Sequence, residues 1–463
     1  VNKAIPAHSY NFSGKRILLL GFGGEAKASL VHIHRYFTDL HIGVADQSSA
    51  LQLSAEEQKL VNAVHAGDHW LTEVSSYEIV IRSPGIPLEV IHHIHTQQPK
   101  MVFTSGTQLF LEKHRDRVWG VTGTKGKSTT SSLLYCCLKA LDTDVRLCGN
   151  IGIPAISLFD ENPTYFVMEL SSYQLEDCLY SPHVSLFLNL FSEHLDHHGS
   201  FEAYRSAKQK IFSAQRPDDR LIVPSGNEKL LTGSDNTVAL KVFFGAATDA
   251  AWIEDDHYKV RLPSHTVKTV CSVSETRLRG PGNAQNILAV LAALSAIEFD
   301  VTKVGAVIKS FAPLPHRLEE VGTYRGITFI NDSISTVPEA TINALETFGD
   351  AVKTLILGGF DRGLSFIGLA EYLVTSAVDV VILFPPSGAR IRKALEERIP
   401  GRFRFFETSS MAEAIDVAFA ETGAPGVCLL SPASPSFPIF KNFEERGAVF
   451  RSLAVSVGEK KFA

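Results

Sequence analysis

Short apolar runs recur along this chain, and most end in a glycine-rich or polar turn. Residues 15–21 (KRILLLG), 41–45, 78–82 (EIVIR), 164–170 (TYFVMEL) and 184–190 (VSLFLNL) read as strands. Residues 327–330, 354–357, 380–384 and 427–430 continue the series. Apolar runs of this length without alternation fit strands covered on both faces. Between them lie helical patterns: a helix opening after Gly24, an apolar-faced stretch over 131–140, an amphipathic one over 201–212 (FEAYRSAKQKIF) and an apolar one over 287–297. Alternation of strand and helix predicts parallel sheets with ligands at the strands' carboxyl ends. Residues 218–274 depart from this rhythm and read as short strands and turns. The pattern divides into units of 1–112, 113–313 and 314–463.

The densest chemistry lies in residues 120–130 (GVTGTKGKSTT), between the end of a short strand and a helix. In such a turn backbone N–H groups and the helix start face phosphates. A lysine, here Lys127, reaches the outer phosphates, and a hydroxyl holds Mg²⁺. The spacing is imperfect: Gly120 is one residue too early for the general pattern and Gly123 two too late. A glycine-rich loop that binds nothing is the bland alternative. It is disfavoured because Gly126-Lys127-Ser128-Thr129 stands at a strand-to-helix junction.

Other loops are weaker alone. Gly21-Phe22-Gly23-Gly24-Glu25-Ala26 fits G-x-G-x-x-A, with Asp46 where a dinucleotide fold holds a ribose. A tight βα turn explains it as well as NAD, FAD or another nucleotide would. Ser83-Pro84-Gly85 follows another strand. Glu169, at the end of a buried strand near a phosphate loop, stands where Mg²⁺ needs a ligand, with Ser171 just beyond. His194, between Glu193 and Asp196, is a candidate metal or phosphate contact. Lys208 and Lys210 read as solvated, and Asn283 and Asn286 as helix caps or base contacts.

Composition narrows the class. The 463 residues call for two to four domains. Hydrophobic content of 45% and charge of 20% describe a globular, soluble chain. A net charge of −6 argues against a nucleic-acid surface, and no apolar run could span a membrane. Residues 1–13 lack the apolar core of a signal peptide. The 6 cysteines have no C-x-x-C spacing and read as free thiols of a reducing cytoplasm. Of the 17 histidines, those at 92, 93 and 95 read as surface positions on a helix.

The set of loops resembles the Mur ligases, the ATP-dependent amide-forming enzymes of peptidoglycan assembly. The resemblance spans essentially the whole chain. It rests on GVTGTKGKSTT, residues 149–152 (GNIG), MELSSYQLE (168–176), Glu193-His194-Leu195-Asp196 with Ala207-Lys208, and Asn283 with Asn286. Leu314-Pro315-His316-Arg317, Asn331-Asp332-Ser333 and SPASPSFPIFKNFEERG (431–447) complete it. SSYQLE and KNFEERG are characteristic of members that add glutamate to UDP-N-acetylmuramoyl-L-alanine.

The resemblance implies three α/β domains: a Rossmann-like one for the UDP substrate, a central P-loop-type one for ATP, and a Rossmann-like C-terminal one for the amino acid. It implies ATP and Mg²⁺ and an acyl-phosphate intermediate. The setting it implies is cell-wall precursor synthesis, with its bearing on cell shape and division, by a cytoplasmic monomer without nucleic-acid or membrane partners. Gly123, Thr124, Lys125, Gly126 and Lys127 would contact ATP, with Ser128 and Thr129 at the magnesium. Glu169 and His194 would hold Mg²⁺, joined by Lys208 if carbamylated, which overturns its solvated reading. Asn283, Asn286, Arg317 and Asp332 would serve the rest of the nucleotide. Gly24, Glu25, Asp46, Ser83, Gly85, Asn150 and Ser171 would serve the UDP substrate, and Thr336, Arg362, Ser436 and Phe443 the incoming glutamate.

Two departures stand out. Gly282 replaces a common histidine, and Ile334 follows Asn-Asp-Ser where the family usually has a lysine for glutamate. D-glutamate is the family default. The Ser-Ile-Ser-Thr run resembles a subgroup of which some members take L-glutamate. A dinucleotide oxidoreductase built on Gly21 to Asp46 is the rival from another class, but it leaves Lys127, Glu169, His194 and Arg317 unused. A non-catalytic nucleotide binder would have no need of Lys127, Glu169 and Lys208 together.

Overall fold

The computed structural model describes residues 11–191, 193–227, 230–232 and 237–460. Residues 1–10, most of the 1–13 stretch read for a signal peptide, and the side chains of Leu195 and Asp196 lie outside the described residues.

Three sheets follow one another along the chain. The first is parallel: β1 (Arg16–Leu20), β2 (His41–Asp46), β3 (Ala63–Ala66), β4 (Ile79–Arg82) and β5 (Val102–Ser105) stand in the order β3-β2-β1-β4-β5. The second begins with β6 (Val118–Thr122), β7 (Val145–Gly149), β8 (Tyr165–Glu169), β9 (Val184–Phe187) and β10 (Arg220–Pro224). It extends through β11 (Leu240–Gly245), β12 (Ala251–Glu254), β13 (His257–Arg261) and β14 (Val267–Ser272). Its order is β14-β13-β12-β11-β10-β9-β6-β8-β7, parallel except for the β12–β13 and β13–β14 pairs. The irregular-looking 218–274 stretch is therefore the flank of the central sheet.

The third sheet comprises β15 (Glu319–Tyr324), β16 (Ile327–Asn331), β17 (Val352–Gly358), β18 (Val380–Phe384), β19 (Arg404–Glu407) and β20 (Gly426–Leu430). Its order is β15-β16-β20-β17-β18-β19, with only β15 antiparallel to its neighbour. Apolar clusters cover both faces. Ala344, Leu369 and Leu373 lie in one, and Ile415, Phe450 and Ala454 in the other. That two-sided burial is why β18, β20 and the later part of β17 read as apolar runs.

The chain forms two compact units. One runs through Glu275 and takes in Gln285–Lys309; the other is Thr276–Ala284 with the residues from Ser310 on. The first two sheets share a single core, in which Ile17 and Leu30 belong with Phe166, Met168 and Phe187. Arg82 ties them further. Its guanidinium, 2% exposed, donates to Glu176 Oε1 (2.6 Å), Asp177 Oδ2 (2.7 Å) and the Tyr173 carbonyl (2.7 Å). In the second unit Gly280 (φ +88) lies against Thr347, where a Cβ would fall 2.1 Å from its hydroxyl. The run expected over 184–190 stops pairing as a strand at Phe187, because the chain bends there to return Asn189 to the phosphate-type loop.

All six cysteines are free, five of them buried. The histidines at 92, 93 and 95 are exposed on the helix Leu88–Gln97. No helix among the described residues is long and apolar enough to cross a membrane.

Candidate active site

β6 delivers the chain to a tight turn, and the helix Lys127–Ala140 leaves it. Gly126 caps that helix at φ +84, and a Cβ there would lie 2.2 Å from Asn286 Oδ1. Only glycine fits both the backbone angle and the space. Asn189 clamps the turn: its Nδ2 donates to the Lys125 carbonyl (3.0 Å) and its Oδ1 accepts from the Lys125 N–H (2.8 Å). Thr124 Oγ1 lies 2.9 Å from the Tyr204 hydroxyl. Ser128 and Thr129 are buried in the first helical turn, where N–H groups have no acceptor within the helix.

Three lysines converge on this turn. Lys127 Nζ donates to the carbonyls of Gly123 and Thr124, both at 3.0 Å. Lys208 Nζ donates to the Gly123 carbonyl at 2.8 Å, and Lys125 Nζ to Glu193 Oε1 at 2.9 Å. Lys208, on the helix Phe201–Ser213, is 1% exposed. Burial, and then the Lys127 ammonium, push its amine well below the ordinary lysine range, against the pull of Glu193 and Glu169. For Glu193, burial raises the carboxyl, but Lys125 and His194 outweigh it and hold it low.

Glu169 ends β8 and is 1% exposed. Its Oε1 accepts from Asn150 Nδ2 (2.8 Å), while Oε2 is buried and has no hydrogen-bond partner. An orphaned carboxylate oxygen facing a lysine-rich turn is costly unless a cation or donor completes it. His194 adopts φ +57, and its Nδ1 lies 2.8 Å from the Tyr173 hydroxyl. Burial chiefly lowers its pKa to about 4, leaving a neutral imidazole, the form that binds metals. The structure thus brings together the 123–129 loop, Asn150, Glu169, His194, Lys208 and Asn286.

The residues singled out in the first sheet are engaged differently. Both Asp46 oxygens accept backbone N–H groups, from Phe22 and Ser48, each at 2.8 Å. Glu25 accepts from the Thr107 N–H and hydroxyl and from Gln174 Nε2, and burial raises its pKa. Ser83 Oγ donates to the Gly21 carbonyl (2.8 Å), and Ser171 caps the helix Ser172–Leu175. Gly24 and Gly85 are exposed with open space around them.

The second unit holds its own cluster at the carboxyl ends of β16 and β20. Asp332 accepts from Ser335 Oγ (2.5 Å), Ser431 Oγ (2.8 Å) and the Leu318 N–H (3.2 Å). Burial nevertheless raises its pKa to about 6. Arg446, 2% exposed, donates to the Ser333 hydroxyl and carbonyl and to the Ser434 carbonyl, and burial lowers its pKa to about 9. Ser436 is buried, Ile334, Thr336 and Phe443 are half-buried, and Arg362 is exposed. A cavity of about 300 Å³ opens beside Arg277, Arg279, Asn283, Leu318 and Phe348.

Sequence reasoning did not single out Arg82, Arg446, Tyr173 or Tyr204. Arg82 carried a signal, as the charged last residue of an otherwise apolar strand.

Comparison with known proteins gives two family matches. The Mur ligase middle domain matches residues 121–294, and the Mur ligase, glutamate ligase domain, matches residues 316–434. The chain is 30% identical to a UDP-N-acetylmuramoylalanine--D-glutamate ligase of Acetivibrio thermocellus, over 96% of this chain and 97% of that one. It is 32% identical to a UDP-N-acetylmuramoyl-L-alanine--L-glutamate ligase of Xanthomonas euvesicatoria pv. vesicatoria, over 95% of each. Among solved structures, the UDP-N-acetylmuramate-alanine ligase MurC of Thermotoga maritima aligns with a TM-score of 0.59 at 19% identity, over 96% of this chain and 100% of that one. The Thermotoga maritima MurF ligase in complex with ADP aligns at 0.58 and 16%, over 98% and 99%.

Proposed function

The chain belongs to the Mur ligase family, and from that premise we propose that it joins glutamate to UDP-N-acetylmuramoyl-L-alanine, driven by ATP, in peptidoglycan precursor synthesis. The family's reaction depends on ATP. The observation that carries the reading is the buried Glu169 carboxylate, with its orphaned oxygen, beside a turn held by Lys127 and Lys208.

A carboxylate resists attack by an amine at neutral pH. One oxygen of the acceptor carboxylate attacks the γ-phosphorus of ATP, ADP departs, and an acyl phosphate forms. The glutamate nitrogen then attacks the acyl carbon, and the resulting tetrahedral centre expels phosphate. Lys127 leaves the carbonyls of its own loop to meet the outer phosphates, and the N–H groups at the helix start meet the others. Gly126 lets that loop pack against Asn286.

Glu169, His194 and the Ser128 and Thr129 hydroxyls would hold Mg²⁺, which offsets the charge gathered when carboxylate and triphosphate meet. The donor set fits: a carboxylate oxygen without a partner, a neutral imidazole and two hydroxyls. Burial, and then Lys127, lower the Lys208 amine well below the ordinary lysine range, which favours the neutral form that takes up CO₂. As a carbamate it would add an anionic oxygen to that set.

In this reading residues 1–112 bind the UDP end of the substrate, through Asp46, Ser83, Gly85 and the neighbouring turn, with Asn150 and Ser171 beyond them. Residues 113–313 bind ATP and residues 314–463 the amino acid, near Thr336, Arg362, Ser436 and Phe443. Asn283, Arg317 and Asp332 serve the nucleotide. The enzyme works as a cytoplasmic monomer.

D-glutamate is the first reading of the amino acid, supported by the name of the Acetivibrio relative. L-glutamate is the second. It is favoured by Ile334, which cannot pair with a carboxylate, and by the name of the Xanthomonas relative. Phosphate release from ATP with UDP-N-acetylmuramoyl-L-alanine and each enantiomer tests both. Release with one enantiomer assigns the substrate, and release with neither would overturn the proposal.

A further inference from the structure

Glu176, His197 and His198 form a cluster that the ligase chemistry leaves unused. Glu176 directly follows the helix Ser172–Leu175, and the two histidines close the short helix Leu195–His198. Their side chains are almost fully buried, at 5%, 9% and 3% exposure. His197 Nε2 lies 3.2 Å from Glu176 Oε1 and 3.3 Å from Oε2, and His198 Nδ1 lies 3.4 Å from Oε2. All three donor atoms fall within 4.8 Å of one another.

Those separations decide between two accounts. A protonated histidine bonded to a carboxylate should close to about 2.7–2.9 Å. Ligands on a tetrahedral ion with bonds of about 2.0–2.1 Å stand ~3.4 Å apart along each edge. The carboxylate–imidazole separations of 3.2–3.4 Å lie nearer the tetrahedral edge than the charged hydrogen bond. The two imidazole planes meet at 73°, so they do not stack but can aim at a common point.

An outer shell is also in place. His198 Nε2 lies 3.0 Å from Ser172 Oγ, which fixes the ring with Nδ1 toward Glu176. Arg82 Nη1 donates to Glu176 Oε1 at 2.6 Å, which fixes the carboxylate beside the histidines. Metal-binding imidazoles and carboxylates are commonly oriented by such partners. Arg82 also pairs with Asp177, so two carboxylates face one guanidinium and the cluster retains room for positive charge. Two imidazole nitrogens among three ligands suit a borderline transition ion, whereas Mg²⁺ takes mostly oxygen ligands, as in the set around Glu169.

We propose that Glu176, His197 and His198 bind a divalent transition ion of the zinc class, with water in the fourth position. The ion would fasten the 195–198 helix to the carboxylate that also anchors Arg82 of the first sheet. Its role is structural, and it is distinct from the magnesium proposed at Glu169.

Cobalt tests this. The full chain is treated with chelator, transferred to metal-free buffer, and titrated with Co²⁺ without ATP or Mg²⁺. One equivalent should bind and give the intense visible bands of four-coordinate cobalt. His197→Gln and His198→Gln should abolish the bands, and Glu169→Gln should keep them. Absent bands, or bands lost in Glu169→Gln and kept in His197→Gln, would overturn the proposal. Zinc X-ray absorption on the unmodified chain needs no variant to fold: two imidazole scatterers per zinc support the site, and one or none refutes it.

Discussion

Replacing Gly126 with alanine should disable ATP use while leaving the fold standing. The new Cβ would lie 2.2 Å from Asn286 Oδ1 and 3.1 Å from Asn286 Cγ. A carbon and an oxygen in ordinary contact need about 3.3 Å, so the loop or the asparagine must yield by about 1 Å. The φ of +84 costs an L residue about 1–2 kcal/mol more. A displacement of about 1 Å in a positioning loop costs about 100-fold in rate. The expected result is a ~100-fold fall in kcat/KM for ATP, about 2.7 kcal/mol of lost transition-state stabilisation. The strain alone should lower Tm by about 2–4 °C for a unit of this size. Adding Asn286→Ala to Gly126→Ala removes the clash and keeps the backbone strain. The double variant should therefore recover activity relative to Gly126→Ala, with a coupling of at least about 1 kcal/mol. The assay is continuous phosphate release at saturating acceptor and glutamate. A loss below about threefold, or strict additivity with Asn286→Ala, would refute the steric account.

Arg82→Met leaves Glu176 and Asp177 buried without their shared cation. Stability should drop by about 3–5 kcal/mol, seen in calorimetry as a Tm lower by about 5–8 °C; a shift under about 2 °C would mean that solvent already reaches the pair. Glu169→Gln keeps the size and the Asn150 partner but removes the charge. Phosphate release should fall by about 100-fold or more with Tm unchanged, and near-normal release would remove Glu169 from the reaction. His114, bonded to the Phe159 carbonyl, is lowered to about 4 from 6.5, chiefly by burial. On acidification the unfolded chain takes up that proton first, so this contribution to stability is lost as pH falls from about 6.5 to about 4. Allowing for solvent screening, about 2 kcal/mol is at stake. Urea melts of His114→Gln should lack that acid-side loss, and an unchanged pH dependence would contradict it.

The apolar runs made the central strands legible, because β6, β8, β17, β18 and β20 are buried along nearly their whole length and polar residues such as Thr122, Glu169, Lys353 and Thr354 fall only near their ends. β3 was not legible. It has four residues and no fully buried position, so its pairing with β2 comes from the fold rather than from its own sequence. The phosphate-type turn was legible as a motif, but Asn189, which holds it from a neighbouring strand end, was not. Lys208 shows a different failure. Tyr204, Ala207, Lys208 and Ile211 fall at helical spacing on one buried stripe, so the position was visible. Residue type outweighed position until the resemblance restored it. Glu25 and Asp46 stand at ligand positions, and their oxygens also close the loops around them, which single-sequence reading cannot see.

The path of the chain between its two compact units has a practical consequence for dissecting the protein. A fragment starting at Ser310 would contain every strand of the third sheet and look like a natural cut. It would lack residues 276–284, including Gly280, whose backbone lies against Thr347. The complementary fragment, ending at Lys309, would carry that orphaned segment into solvent as the first turn of the helix Pro281–Ala296. Neither piece is a fair copy of what it becomes in the whole chain. Deletion studies, split-protein reporters and fragment crystallisation therefore need a permuted or grafted design in which 276–284 travels with the third sheet.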